Sequence, residues 1–100
     1  AIRLKLDPHN GEAWYNKGNE LLHLGENDNA LDAFEKSIQI NPQYAKAWNN
    51  KGCALTNLGR HEDAMNAFKR AIEIDPQYEH ALKNIKAILD GQLAHENKSI

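Results

Sequence analysis

The feature that most constrains this chain is an internal period of 34 residues. Residues 45–78 laid over residues 11–44 bring Trp14 onto Trp48, Gly18 onto Gly52, Leu21 onto Leu55 and Gly25 onto Gly59 without a gap. Further along, Ala30 meets Ala64, Phe34 meets Phe68 and Pro42 meets Pro76. Roughly half of the aligned positions are identical, and self-similarity at a fixed period of this length marks a solenoid, in which each unit buries its apolar side against its neighbours.

Each unit reads as two helices. Trp14, Gly18, Leu21 and Gly25 fall at steps of four, three and four, along one helical stripe. Gly25 and Gly59 are placed to end the first helix of each unit in the left-handed conformation. Ala30, Ala33, Phe34, Ser37 and Ile38 continue at helical spacing, with Asp28 in the opening turn where it suits the helix dipole. Asn41-Pro42 and Asp75-Pro76 stop the second helices, because proline disfavours helical geometry in the residue before it. The spacing predicts helices over 11–24, 27–41, 45–58, 61–75 and 79–90, and no strands. Gly18 facing Ala30, and Gly52 facing Ala64, are expected to let paired helices approach closely, with Trp14 and Phe34 filling the wider ends.

At this spacing the Trp, Gly, Leu, Gly, Ala, Phe and Pro landmarks resemble the tetratricopeptide repeat family. The resemblance implies an all-α, right-handed solenoid of antiparallel helix hairpins: two full repeats at 11–44 and 45–78, then a C-terminal capping helix at 79–93. Leu6-Asp7-Pro8 matches Ile40-Asn41-Pro42, so residues 1–10 read as the stub of a preceding repeat, cut from a longer protein. Lys86 and Leu93 stand where glycines stood earlier, which suits a cap, and residues 94–100 read as a flexible tail.

Composition narrows the function. A hydrophobic share of 41% with 26% charged residues is ordinary for a folded chain, and no apolar run approaches the ~20 residues of a membrane span. The net charge of −2 gives no reason to expect nucleic acid. Cys53 is the only cysteine, so no internal disulfide forms and no oxidising compartment is implied; a cytoplasmic location is the expectation. Residues 11–44 carry six acids and two bases against four and five in residues 45–78, an asymmetry that would bias stacking order only modestly.

Neither catalysis nor a resident metal or cofactor is expected. No His-x-x-x-His, Cys-x-x-Cys or His-Glu-x-x-His spacing occurs. A diagonal stacking of first helices would bring His23 near Cys53, but two ligands do not close a zinc site.

The function expected from the resemblance is a scaffold binding an extended peptide or protein segment on its concave face, through the first helices. The residues implied are Tyr15, Asn16 and Asn19, then Lys46, Asn49 and Asn50, then His80, Lys83 and Asn84, with Leu22, His23, Cys53 and Asn57 on the same side. One subset of the family, the chaperone adaptors, clamps a C-terminal carboxylate with cations and asparagines. Asn19 and Asn50 match its asparagines, whereas Tyr15, His80 and Asn84 stand at its cationic positions, so such a clamp is not expected. Asn16, Asn50 and Asn84 recur at intervals of 34, similar to the asparagine ladder of glycosyltransferase-linked arrays, and would grip a peptide main chain by donor and acceptor together. Asn50→Ala is then expected to weaken partner binding and leave melting nearly unchanged. The alternative is a structural module of a longer array, with end-to-end self-association. An RNA-binding repeat ranks last, since the related pentatricopeptide units are one residue longer and usually basic.

Overall fold

Asn10 opens the first helix: its side-chain oxygen accepts the Ala13 backbone N–H at 3.1 Å, satisfying a donor that the helix itself leaves unpaired. The computed structural model describes residues 10–98, with side chains through Gly91. Five helices follow one another, α1 (Gly11–His23), α2 (Asn27–Ile40), α3 (Ala45–Asn57), α4 (His61–Ile74) and α5 (Glu79–Lys98), and no strand occurs among the described residues.

The glycine stops behave as expected. Gly25 and Gly59 have φ of 79° and 80°, and both lie in open space. Behind them the Glu26 N–H reaches Leu21 O at 2.9 Å and the Arg60 N–H reaches Leu55 O at 2.8 Å, closing carbonyls that the helix end would otherwise leave free. Asn41 and Asp75 hold the turns after α2 and α4 by accepting the N–H of Gln43 and Gln77 at 3.2 and 3.1 Å.

Antiparallel hairpins α1/α2 and α3/α4 stack so that α2 lies on α3 and α4 on α5, while α1 also touches α3. The core is made mostly of alanine, with Phe34, Phe68 and Leu55 as its largest buried side chains. Ser37, fully buried, donates to Gly11 O at 2.7 Å, so its hydroxyl is not left unsatisfied.

Two expectations need correction. The close approach at Gly18 is to the ring of Phe34, not to Ala30: a Cβ there would lie 2.7 Å from Phe34 Cδ1, and Gly52 stands in the same relation to Phe68. Trp14 lines a recess between α1 and α2 together with Ala33 and Lys36. It is half-buried, with Lys36 Nζ 4.5 Å and Lys17 Nζ 5.6 Å from its ring centroid, and Trp48 repeats the arrangement with Lys51 and Arg70.

The second correction concerns the C-terminal end. The capping helix expected over 79–93 continues to Lys98, into the residues read as a tail. Gly91 lacks the positive φ of the two helix stops, so it is carried within the helix at a cost of about 1 kcal/mol relative to alanine. The stub assigned to residues 1–10 falls, apart from Asn10, outside the described residues. Among those described, no helix is long and apolar enough to cross a membrane.

Candidate functional site

The successive first helices α1, α3 and α5 meet through asparagine side chains. Asn50 Nδ2 on α3 donates back to two residues of α1, Asn19 Oδ1 at 2.5 Å and the Tyr15 hydroxyl at 3.2 Å. One repeat later Asn84 Nδ2 on α5 donates to Cys53 Sγ at 3.7 Å and Asn49 Oδ1 at 3.0 Å. These bonds span the same offsets, 31 and 35 residues, in both places. Asn49 Nδ2 donates to Asn50 Oδ1 at 3.0 Å and links the two sets into one network.

This network changes the expected ladder. Asn16, Asn50 and Asn84 do occupy equivalent positions, but Asn50 and Asn84 spend amide hydrogens on the preceding repeat rather than presenting them all outward. Asn16 is exposed and makes no side-chain hydrogen bond among the described residues. Asn49, only 4% exposed, is a buried strut. Of the other expected residues, Tyr15 and Asn19 are half-buried within the network. Lys46, His80 and Lys83 are exposed around it, His80 edge-on to Tyr78 with ring centroids 5.8 Å apart. His23 and Asn57 are exposed, and Asn57 donates to Asn27 at 3.1 Å. Leu22 packs against the core.

Sequence reasoning missed Tyr44 and Tyr78. Tyr44 stacks on Tyr15 at 5.0 Å between centroids, tilted by 37°. The Tyr78 phenol is pushed up to about 12, first by burial and then by the charges of Tyr15, Cys53, Asp75 and Tyr44. Tyr44 is raised too, by burial first and then by Tyr15 and Glu12. The signal was present: both follow Pro-Gln in the turns between repeats, at the same repeat position. Burial holds the Cys53 thiol above its ordinary value, partly offset by the bond from Asn84, so it is a poor nucleophile. Among the described residues no group of three His, Cys, Asp or Glu side chains is placed to hold a metal ion. Chemically, the face offers aromatic rings, hydroxyls and neutral amides.

Residues 11–44 and 45–78 each match the family model of the tetratricopeptide repeat. Among solved structures the chain is similar to MamA, with a TM-score of 0.83 and 30% identity over 87% of this chain and 51% of that one. It is equally similar in sequence, 30%, to YrrB, described as a TPR protein with an unusual peptide-binding site, with a TM-score of 0.78 over 81% of this chain and 42% of that one. The first TPR of Spaghetti (RPAP3), bound to the HSP90 peptide SRMEEVD, shares the fold at 23% identity, with a TM-score of 0.83 over 87% of this chain and 69% of that one. This chain thus spans about half the length of the MamA chain. No curated protein matches the sequence.

Proposed function

This chain belongs to the tetratricopeptide repeat family, and on that premise we propose that it is a non-enzymatic protein-interaction scaffold that holds an extended segment of a partner on the face formed by α1, α3 and α5. The observation that carries this reading is the chemistry of that face. It gathers half-buried Tyr15, Asn19, Asn50 and Asn84 beside exposed Lys46, His80 and Lys83, while Leu31 and Phe34 of α2 and Phe68 of α4 are consumed by the core. Neutral amides and phenols suit a peptide better than a phosphate backbone. YrrB, at 30% identity, is described as having a peptide-binding site, which lends the reading support from a relative.

The partner is expected to differ from the acidic-ended peptide of the Spaghetti complex. Tyr15, Asn84 and His80 stand where cations would have to meet a terminal carboxylate, and none of the three is a permanent cation. The test is a titration of the chain with an array of unrelated decapeptides, followed by amide shift mapping. Shifts confined to the opposite side, on α2 and α4, would defeat the assignment of the face.

A second reading, self-association within a longer array, is favoured by Leu82 and Leu89 on α5, 45% and 47% exposed. Light scattering across a concentration series tests it; a mass that stays monomeric throughout removes it.

A further inference from the structure

The two seams between successive units can be compared position by position, because each residue at the first has a counterpart 34 residues on at the second. Where α3 meets α2, three ties cross. Asn57 Nδ2 donates to Asn27 Oδ1 at 3.1 Å, Lys51 Nζ lies 3.8 Å from Glu35 Oε1, and the Trp48 indole N–H donates to Pro42 O at 2.9 Å. Where α5 meets α4, the counterparts are Gly91 and His61, Ile85 and Lys69, and Leu82 with Pro76. None of these pairs can remake its tie: Gly91 has no side chain, and those of Ile85 and Leu82 carry no polar group. Burial follows the same asymmetry. Leu55 on α3 is 2% exposed and its counterpart on α5, Leu89, 47% exposed, and no helix among the described residues pairs with α5 as α4 pairs with α3. What holds α5 is fully buried Ala81, the packing of Ile85 and Ile88 against the core, and the Asn84 amide on Asn49 and Cys53.

From this asymmetry we propose that α5 is a lid, which opens off α3 and α4 as one unit about residues 75–78 while the hairpins α1/α2 and α3/α4 stay folded. Two hydrogen bonds and one exposed ion pair fewer make such an opening roughly thirtyfold more frequent than at a seam tied like the first. The buried contacts of Ala81, Ile85 and Ile88 keep the closed state in the majority. The Asn49 oxygen loses its donor when α5 leaves, which also limits the opening. On the scaffold reading above, Lys83 and Asn84 depart with α5, so a partner that reaches them binds the closed state alone and holds the lid shut.

The test is amide hydrogen exchange of the isotope-labelled chain, free of any ligand, over a guanidinium series below the unfolding transition. The amides of Leu82, Ile85, Ile88 and Leu89 are expected to share one opening equilibrium, about thirtyfold larger than that of Phe34 and Phe68. Its denaturant dependence should be shallower, since less surface is exposed than in global unfolding. Protection that declines steadily along α5 toward its C-terminal end means fraying, and overturns the proposal. Equal protection in α4 and α5 overturns it too. Either failure leaves the scaffold reading intact, because that reading stands on peptide shifts in the closed state. The His61→Asn, Gly91→Asn double variant recreates the pair seen at Asn27 and Asn57, and a Cβ at position 91 meets nothing within 4 Å. Compared with Gly91→Asn alone, which shares its helix propensity, the double variant is expected to open α5 about fivefold less often, with Phe34 unchanged. Identical opening in the two variants overturns the missing ties as the origin of the lid.

Discussion

One glycine-to-alanine change should have opposite effects at two places in this chain. At Gly52, within α3, an added Cβ would lie 2.6 Å from Phe68 Cδ1 and 2.7 Å from Cζ. Carbon atoms pack favourably at about 3.5–4.0 Å, so the ring must move by an ångström or so. Phe68 is only 2% exposed and sits in the core with Ala64 and Ala67 around it, so it has nowhere to go. Overpacking of this kind costs about 1–3 kcal/mol, against a helix-propensity gain of about 1 kcal/mol. The net result is a loss of about 1 kcal/mol at the middle of that range, with a fall in Tm of about 4–8 °C per kcal/mol for a domain of this size. Gly91 lies inside α5, and its Cβ would meet nothing within 4 Å. There only the propensity term operates, and Gly91→Ala should raise Tm or leave it level. Thermal melts followed by circular dichroism measure both. Adding Phe68→Leu to Gly52→Ala should recover part of the loss, since the smaller side chain vacates the space the methyl needs; in a double-mutant cycle this appears as a favourable coupling. A Gly52→Ala variant as stable as the parent would refute the contact between Gly52 and Phe68 as the reason for the glycine.

Gly59→Ala puts a side chain at φ of 80° without any clash, so its cost should be purely conformational, about 1–2 kcal/mol by thermal melting. Asn50→Ala, expected from sequence to leave melting unchanged, should instead cost about 1–3 kcal/mol, because it strips the acceptor from buried Asn49; denaturant titration decides between the two. Tyr78 has an ordinary value of 10.0 and is pushed up to about 12 by folding, so its neutral form is the one the fold favours. Its contribution is complete below pH 10 and lost as pH rises toward 12; Tyr78→Phe should flatten that decline in an alkaline melting series. A peptide ending in SRMEEVD should bind no better than a neutral peptide of the same length by calorimetry.

Much of the fold was legible because the repeat tests each inference twice. A glycine at 25 alone is ambiguous; with another at 59 in the same setting it becomes a helix stop, and both have positive φ. The helix starts and ends inside the two repeats followed from Pro42, Pro76 and the apolar spacing in the same way. Gly91 had no second copy to compare with, and the helix runs through it.

What the sequence by itself determined was the all-helical repeat, its register and the membership of Tyr15, Asn19, Asn50 and Asn84 in one face. What only the tertiary structure decided was which groups that face has left to offer. Side chains 31 and 35 residues apart meet only when first helices stack with a particular offset, and that offset turns the asparagine ladder inward as a tie between repeats. The same packing brings Tyr44, at the end of its repeat, back onto Tyr15 of α1. Hydrogen bonds and ring contacts depend on distances of a few ångströms across helices, and a periodic pattern specifies which sides of the helices face each other but not the distances between their side chains.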